Sequence, residues 1–193
     1  MMRRPVLAAA ALALVLAGCS SAAPETTPAP ETDAAGQALL ERHGLEGMDT
    51  REVIDHLDRL GGEDRPSTLM ASVRADELLL TEGEEELSLE MPAEELYVAV
   101  APYVDQTHDC AFHSLTTCQG ELAEREVEVT ILDDSGAVLV EETTTTYANG
   151  FVGYWLPRDV EGTIEMTVDG QRGEVPFTTA DDGLTCLTTL QMT

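Results

Sequence analysis

The sequence predicts an α+β fold: a small helical and strand-containing N-terminal domain (34–92) followed by an antiparallel β-sandwich-like C-terminal domain (93–193). Three observations carry this reading. Apolar residues between Ala34 and Gly62 recur at helical intervals. From Thr68 onward they fall into short apolar or alternating runs at regular spacing. Turn signals such as Asn149, Gly150 and Asp169, Gly170 punctuate those runs.

The chain opens on a basic lead, Met1, Met2, Arg3, Arg4, followed by an apolar run from Val6 to Ala17. A bilayer-spanning helix needs about 20 residues, so this run is too short to span and has the length of a secretory signal core; residues 1–18 read as a signal peptide. Leu16, Ala17, Gly18, Cys19 resembles the bacterial lipobox, in which cleavage before the cysteine is followed by lipid attachment to its sulfur. Cys19 is thus the expected lipidation site; the alternative is an ordinary signal peptide with an incidental cysteine. Residues 19–33, mostly Ser, Ala, Pro, Thr and Glu without apolar periodicity, predict a lipid-anchored disordered tether. The expected location is extracytoplasmic, lipid-anchored to the cell membrane, with membrane contact only through that anchor.

Removing Arg3 and Arg4 from the 10 basic residues leaves 8 against 37 acidic ones, a mature charge near −29. Such a surface repels nucleic acid and anionic headgroups and enriches cations near it. Nucleic acid is therefore excluded as a partner.

Taken in order, Ala34 to His43 predicts a short helix that stops at Gly44. Asp49 and Glu52 have capping-box spacing, and Val53, Ile54, Leu57 and Leu60 follow at helical intervals before Gly61 and Gly62. His43 and His56 read as surface histidines, with a secondary metal contact as the alternative. Leu69 to Val73, Glu77 to Thr81, Leu87 to Met91 and Leu96 to Val104 read as strands, and Glu84, Glu85, Glu86 as a solvated hairpin loop. Met48, Met70, Met91 and Met166 show no clustered spacing and read as core filler. Val127 to Leu132 and Val138 to Tyr147 continue the β pattern, and Asn149, Gly150 gives the strongest hairpin signal in the chain. Phe151 to Leu156, Thr163 to Val168, Gly173 to Phe177 and Leu184 to Gln191 complete the predicted strands. Trp155 is expected in the core. Asp133, Asp134 lacks the alternating acids of an EF-hand and reads as a turn.

The chemistry is concentrated between His108 and Cys118, which holds two of the 4 cysteines and two of the 4 histidines. With Cys19 committed to lipid, Cys110, Cys118 and Cys186 remain, an odd number for an exported protein. Three readings stay open. A disulfide between Cys110 and Cys118 would contribute ~2 to 3 kcal/mol by loop closure but leaves Cys186 without a role. A metal site would use three thiolates, or two with His108 or His113, to hold copper as Cu(I), with zinc, whose four tetrahedral ligands the same inventory could also supply, as the secondary candidate. Thiol–disulfide exchange would use all three sulfurs, although no Cys-x-x-Cys is present. Hydrolysis has little support, since Ser114 beside His113 is not a triad and no Gly-x-Ser-x-Gly occurs.

A longer pattern bears on this choice: His108, Asp109, Cys110, then Phe112, His113, Ser114, Leu115, Thr116, Thr117, Cys118, then Gly120, Glu121, Leu122. Ser72, Val73, Arg74, Ala75, Asp76, Glu77, Leu78 agrees with it, as do Gly150, Phe151 with Trp155, Leu156, Pro157, Arg158 and the stretch Thr185, Cys186, Leu187, Thr188, Thr189, Leu190, Gln191. Together these resemble the CueP family of periplasmic copper-binding proteins, from about Ala34 to the C-terminus. The resemblance implies an envelope protein of copper resistance with Cys110, Cys118 and Cys186 as its functional thiols. It further implies copper transfer to a client protein and contact with an envelope thiol reductase. The lipobox, acidic tether and high negative charge depart from the soluble periplasmic members.

The resulting expectation is Cu(I) held by Cys110, Cys118 and Cys186, with His108 or His113 as an auxiliary ligand. Any reduction of Cu(II) there would be stoichiometric, so no enzyme is expected. The site demands that Cys186 be carried back to the loop containing the other two sulfurs. The reading in another class is a disulfide-stapled β-domain acting as a thiol-exchange partner or adhesion module. A homodimer is compatible with the sequence if the helical part stands apart as a dimerisation surface.

Overall fold

The computed structural model describes residues 34–193, so the signal peptide, Cys19 and the tether lie outside the described residues. Helix α1 (Ala34–Arg42) is followed by Gly44 at φ +68°, a left-handed position suited to glycine. Helix α2 (Thr50–Asp58) begins with the predicted capping box: the Asp49 carboxylate accepts from the Glu52 N–H, and the Glu52 carboxylate accepts from the Asp49 N–H, both at 2.9 Å. The buried face of α2 is Val53, Ile54, Leu57 and Asp58. A carboxylate within an apolar stripe needs partners, and Asp58 finds them in the site described below.

The strands are β1 (Met70–Val73), β2 (Glu77–Glu82), β3 (Glu85–Glu90), β4 (Glu95–Val100), β5 (His113–Ser114), β6 (Glu126–Asp133), β7 (Val138–Thr145), β8 (Val152–Pro157), β9 (Glu161–Val168), β10 (Gln171–Thr178) and β11 (Cys186–Leu187). They form three sheets, ordered β3-β2-β1-β5, β10-β9-β6-β7 and β11-β4-β8. The architecture is α+β, helices first and sheets after, as the sequence predicts.

Segments 34–92 and 93–193 lie within a single compact unit. Strand pairing crosses the expected boundary, with Val73 opposite His113, and the Arg158 guanidinium donates to the Ala75 carbonyl at 2.6 Å. Trp155 is half-buried rather than a core residue, and it ties α2 to β8. Its indole N–H donates to Asp55 at 2.9 Å, the Arg51 guanidinium lies 4.5 Å from its ring centroid, and the Tyr97 ring is 5.0 Å away.

Several local expectations are corrected. The β2–β3 hairpin closes through Gly83 and Glu84, so Glu85 and Glu86 lie on a strand. Strand β4 ends at Val100, two residues before Pro102, which has no N–H for a ladder. Asn149 and Gly150 do form a tight turn, with the Gly150 N–H donating to the Tyr147 carbonyl at 2.8 Å. That turn passes the chain between sheets, because β7 pairs with β6 while β8 pairs with β4. Asp169 (φ +51°) and Gly170 (φ +83°) do close the β9–β10 hairpin. Met91 and Met166 are buried, but Met70 is 48% exposed and is not core filler.

The predicted last strand shrinks to β11, which runs parallel to β4 with Cys186 opposite Ala99 and Leu187 opposite Val100. The C-terminal strands are therefore not wholly antiparallel. A parallel partner requires a long crossover, and the intervening β5–β10 supplies it. This pairing brings Cys186 back to the loop that follows β4.

Candidate metal centre

The loop after β4 is closed at its base and pinned at its middle. The Glu121 carboxylate accepts from the backbone N–H groups of Val104, Asp105 and Gln106 at 2.7, 3.0 and 3.2 Å. Farther along, β5 adds to the edge of β1, and the Leu115 N–H donates to the Ala71 carbonyl at 2.9 Å. A turn then returns Cys118, whose N–H donates to the Ser114 carbonyl at 3.0 Å. Its sulfur accepts from the Ser114 N–H at 3.4 Å.

Cys110 and Cys186 form a disulfide with Cα atoms 5.6 Å apart. Of the open readings, the disulfide one pairs Cys110 with Cys118; the bridge instead joins Cys110 to Cys186. Cys118 is the free thiol among the described cysteines, and its Sγ lies 3.5 Å from that of Cys110. Nearness in sequence does not decide the partner, because β11 delivers Cys186 to within bonding reach of Cys110.

His113 is wholly buried and held on every side. Its Nε2 is 2.7 Å from Asp58 Oδ1, and its Nδ1 is 3.7 Å from Cys186 Sγ. Its backbone N–H donates to the Thr185 hydroxyl at 3.0 Å, which in turn donates to the Val73 carbonyl at 2.6 Å. Its ring packs on Phe151 with centroids 4.5 Å apart. Asp58 also accepts from the Tyr97 hydroxyl at 2.6 Å and from the Asn149 amide at 2.7 Å, while that amide donates to the Asp58 carbonyl at 2.6 Å. Asp58, His113 and Asn149 are 0% exposed and Tyr97 is 1% exposed. The carboxylate thus orients the imidazole, the arrangement found behind metal-ligating histidines.

The electrostatics follow from this packing. Burial alone would lower the His113 pKa, but the charge and hydrogen bond of Asp58, assisted by Cys118, raise it to about 9. Burial would raise the Cys118 thiol, yet His113, His108 and the Ser114 N–H outweigh it and bring it to about 7. Burial likewise opposes ionisation of Asp58, whose pKa is nonetheless lowered by His113, Tyr97 and Asn149. Burial and the neighbouring Asp58 charge push Tyr97 upward, keeping it a donor.

The five predicted site residues form two overlapping donor sets. His108, Cys110 and Cys118 have ligand atoms within 4.8 Å of one another, and so do His113, Cys118 and Cys186. His108 is exposed and Cys110 half-buried, whereas the second set is buried throughout. The apposed sulfurs and imidazoles match the soft-donor inventory for Cu(I). His43 contacts Glu82 of β2 instead, at 3.2 Å.

The sequence reading missed Asp58, Tyr97, Asn149 and Thr185. One signal was present for Asp58, a charged residue on the apolar stripe of α2 beside Ile54 and Leu57. In the sequence Asn149 reads only as a turn former.

The family model described as "Periplasmic copper-binding protein CueP" matches residues 52–191. Among solved structures, one titled "Crystal Structure of S.CueP" is 37% identical to this chain and superposes with a TM-score of 0.79. The match covers 83% of this chain and 99% of that one. No curated protein matches the sequence.

Proposed function

The chain belongs to the CueP family of periplasmic copper-binding proteins, and from that premise we propose that its reduced form sequesters Cu(I) through Cys110, Cys118 and Cys186. The carrying observation is the convergence of those sulfurs with His108 and His113. Thiolates stabilise the lower copper oxidation state, and His113 or His108 serves as auxiliary ligand. Zinc is the weaker candidate, since it would prefer a regular tetrahedron. The role is copper resistance, with delivery of the ion to a copper-requiring client, and Cys19 holds the protein to the membrane.

The disulfide represents the oxidised state of the same centre. Cys110 and Cys186 joined to each other cannot act as thiolates, so oxidation and full copper binding exclude one another. Reduction of Cu(II) is stoichiometric: two Cu(II) ions each take one electron from the thiolates of Cys110 and Cys186, giving two Cu(I) and one disulfide. An envelope thiol reductase then restores the pair by supplying two electrons and two protons. A second reading, thiol–disulfide exchange as the function itself, draws on the free Cys118 sulfur 3.5 Å from Cys110.

Copper titration of reduced protein, comparing wild type with Cys118→Ser and Cys186→Ser, separates the two. The copper reading expects tight Cu(I) binding that each substitution weakens. Tight binding indifferent to both substitutions would sink it. Peptide mapping of the oxidised protein should join the Cys110 and Cys186 peptides, leaving Cys118 alkylated.

A further inference from the structure

We propose that a single Cu(I) passes through two stations that share the Cys118 sulfur: an outer one of His108, Cys110 and Cys118, and an inner one of His113, Cys118 and Cys186. This rests on the copper reading above and adds a direction to it. Both donor sets have ligand atoms within 4.8 Å of one another, and only Cys118 belongs to both. Exposure grades from the first set to the second: His108 is exposed and Cys110 half-buried, while His113, Cys118 and Cys186 are 0%, 8% and 1% exposed. An ion arriving from solvent therefore meets His108 before it can meet His113.

A shared thiolate lets the ion move without being released. Cu(I) tolerates few ligands and exchanges them one at a time. Cys118 stays bonded while Cys110 and His108 leave and Cys186 and His113 bind. No electron moves; the proton lost by the Cys186 thiol is taken up by the vacated Cys110 thiolate, and the proton displaced from His113 Nδ1, the ring nitrogen facing Cys186, passes to solvent. The two stations also differ in rigidity. His113 is fixed by Asp58 at 2.7 Å and through its backbone by Thr185 at 3.0 Å. His108 sits on an exposed loop with its ring centroid 6.4 Å from that of Phe151. Phe151, fully buried, packs against both imidazoles and keeps the inner set dry. Such a geometry makes the outer set a capture point and the inner set a holding point.

The test uses fully reduced protein and Cu(I) supplied as its bicinchoninate complex. Stopped-flow absorbance follows capture, and an excess of bicinchoninate follows release. A station on the path is crossed in both directions, so His108→Ala should slow capture and release together, by about tenfold each if the barrier rises by one such factor. Cys186→Ser, which removes an inner-station sulfur but keeps the Asp58–His113 Nε2 contact, should instead quicken release. If the two rates of His108→Ala do not fall together, the two-station path is overturned. Tight binding retained by Cys118→Ser would instead overturn the copper site itself, which keeps the two failures apart.

Discussion

Replacing Asp58 with alanine takes one buried acceptor away from three donors at once: His113 Nε2, the Tyr97 hydroxyl and the Asn149 amide. Asn149 keeps its bond to the residue-58 carbonyl at 2.6 Å, so two donors are left fully unpaired. Each unmatched buried donor costs ~1–3 kcal/mol, and breaking a buried ion pair costs ~3–5 kcal/mol. These overlap, because the imidazole can discard its charge, so we expect a loss of ~3–5 kcal/mol. That is a large share of the ~5–15 kcal/mol that holds an ordinary domain together. Asp58→Asn preserves the shape and one acceptor, and should cost ~1–3 kcal/mol. Urea unfolding of the oxidised, metal-free protein measures both, the midpoint falling with the slope unchanged. NMR titration supplies the specific signature. In Asp58→Asn the His113 pKa should drop from about 9, since burial is then opposed only by Cys118. A wild-type unfolding midpoint, or a His113 that still titrates near 9, would refute the reasoning.

Three further outcomes follow from the same network. In the oxidised protein, alkylation of Cys118 by iodoacetamide should accelerate as pH rises through about 7, well below the ordinary thiol value of 9.0. His113→Gln should move that midpoint upward, and an unmoved midpoint would remove His113 as the cause. Stability should respond to pH through two opposed groups. The His113 contribution is complete below 6.5 and lost as pH rises through about 9, whereas the Cys118 contribution is complete above 9.0 and lost as pH falls through about 7. Between 7 and 9 the slopes offset one another, so wild type should be nearly flat there while Cys118→Ser loses stability with rising pH; parallel curves would contradict this. Finally, a Cβ at Gly153 would lie 1.7 Å from the Tyr97 hydroxyl. Gly153→Ala should therefore push Tyr97 off Asp58 and cost ~1–3 kcal/mol by overpacking, with the His113 pKa shifting too; an unperturbed midpoint would show that the strand simply yields.

The elements readable in advance share a property: their determinants lie within a few residues. The Asp49–Glu52 capping box and the Asp169–Gly170 hairpin each close through local hydrogen bonds and backbone preference, so spacing alone identifies them. Strand β5 is not legible in the sequence, because two residues carry no periodicity. The Asn149–Gly150 signal marks a turn but not a hairpin, because turn chemistry bends the chain without saying which strands the flanks will join. Asp58 was hidden for a similar reason: its helical position is legible, while its need for His113, Tyr97 and Asn149 arises only when β4, β5 and the 149–150 turn converge on α2.

The candidate donors, Cys110, Cys118, Cys186, His108 and His113, are legible in the sequence alone, together with the acidic composition and the α+β order of elements. Tertiary structure decided which sulfurs are paired, which imidazole is buried and which carboxylate stands behind it. Pairing across 76 residues depends on the parallel register of β11 on β4, and burial depends on what the neighbouring sheets cover. Both are sums over contacts distant in the chain, and a local pattern carries no record of them.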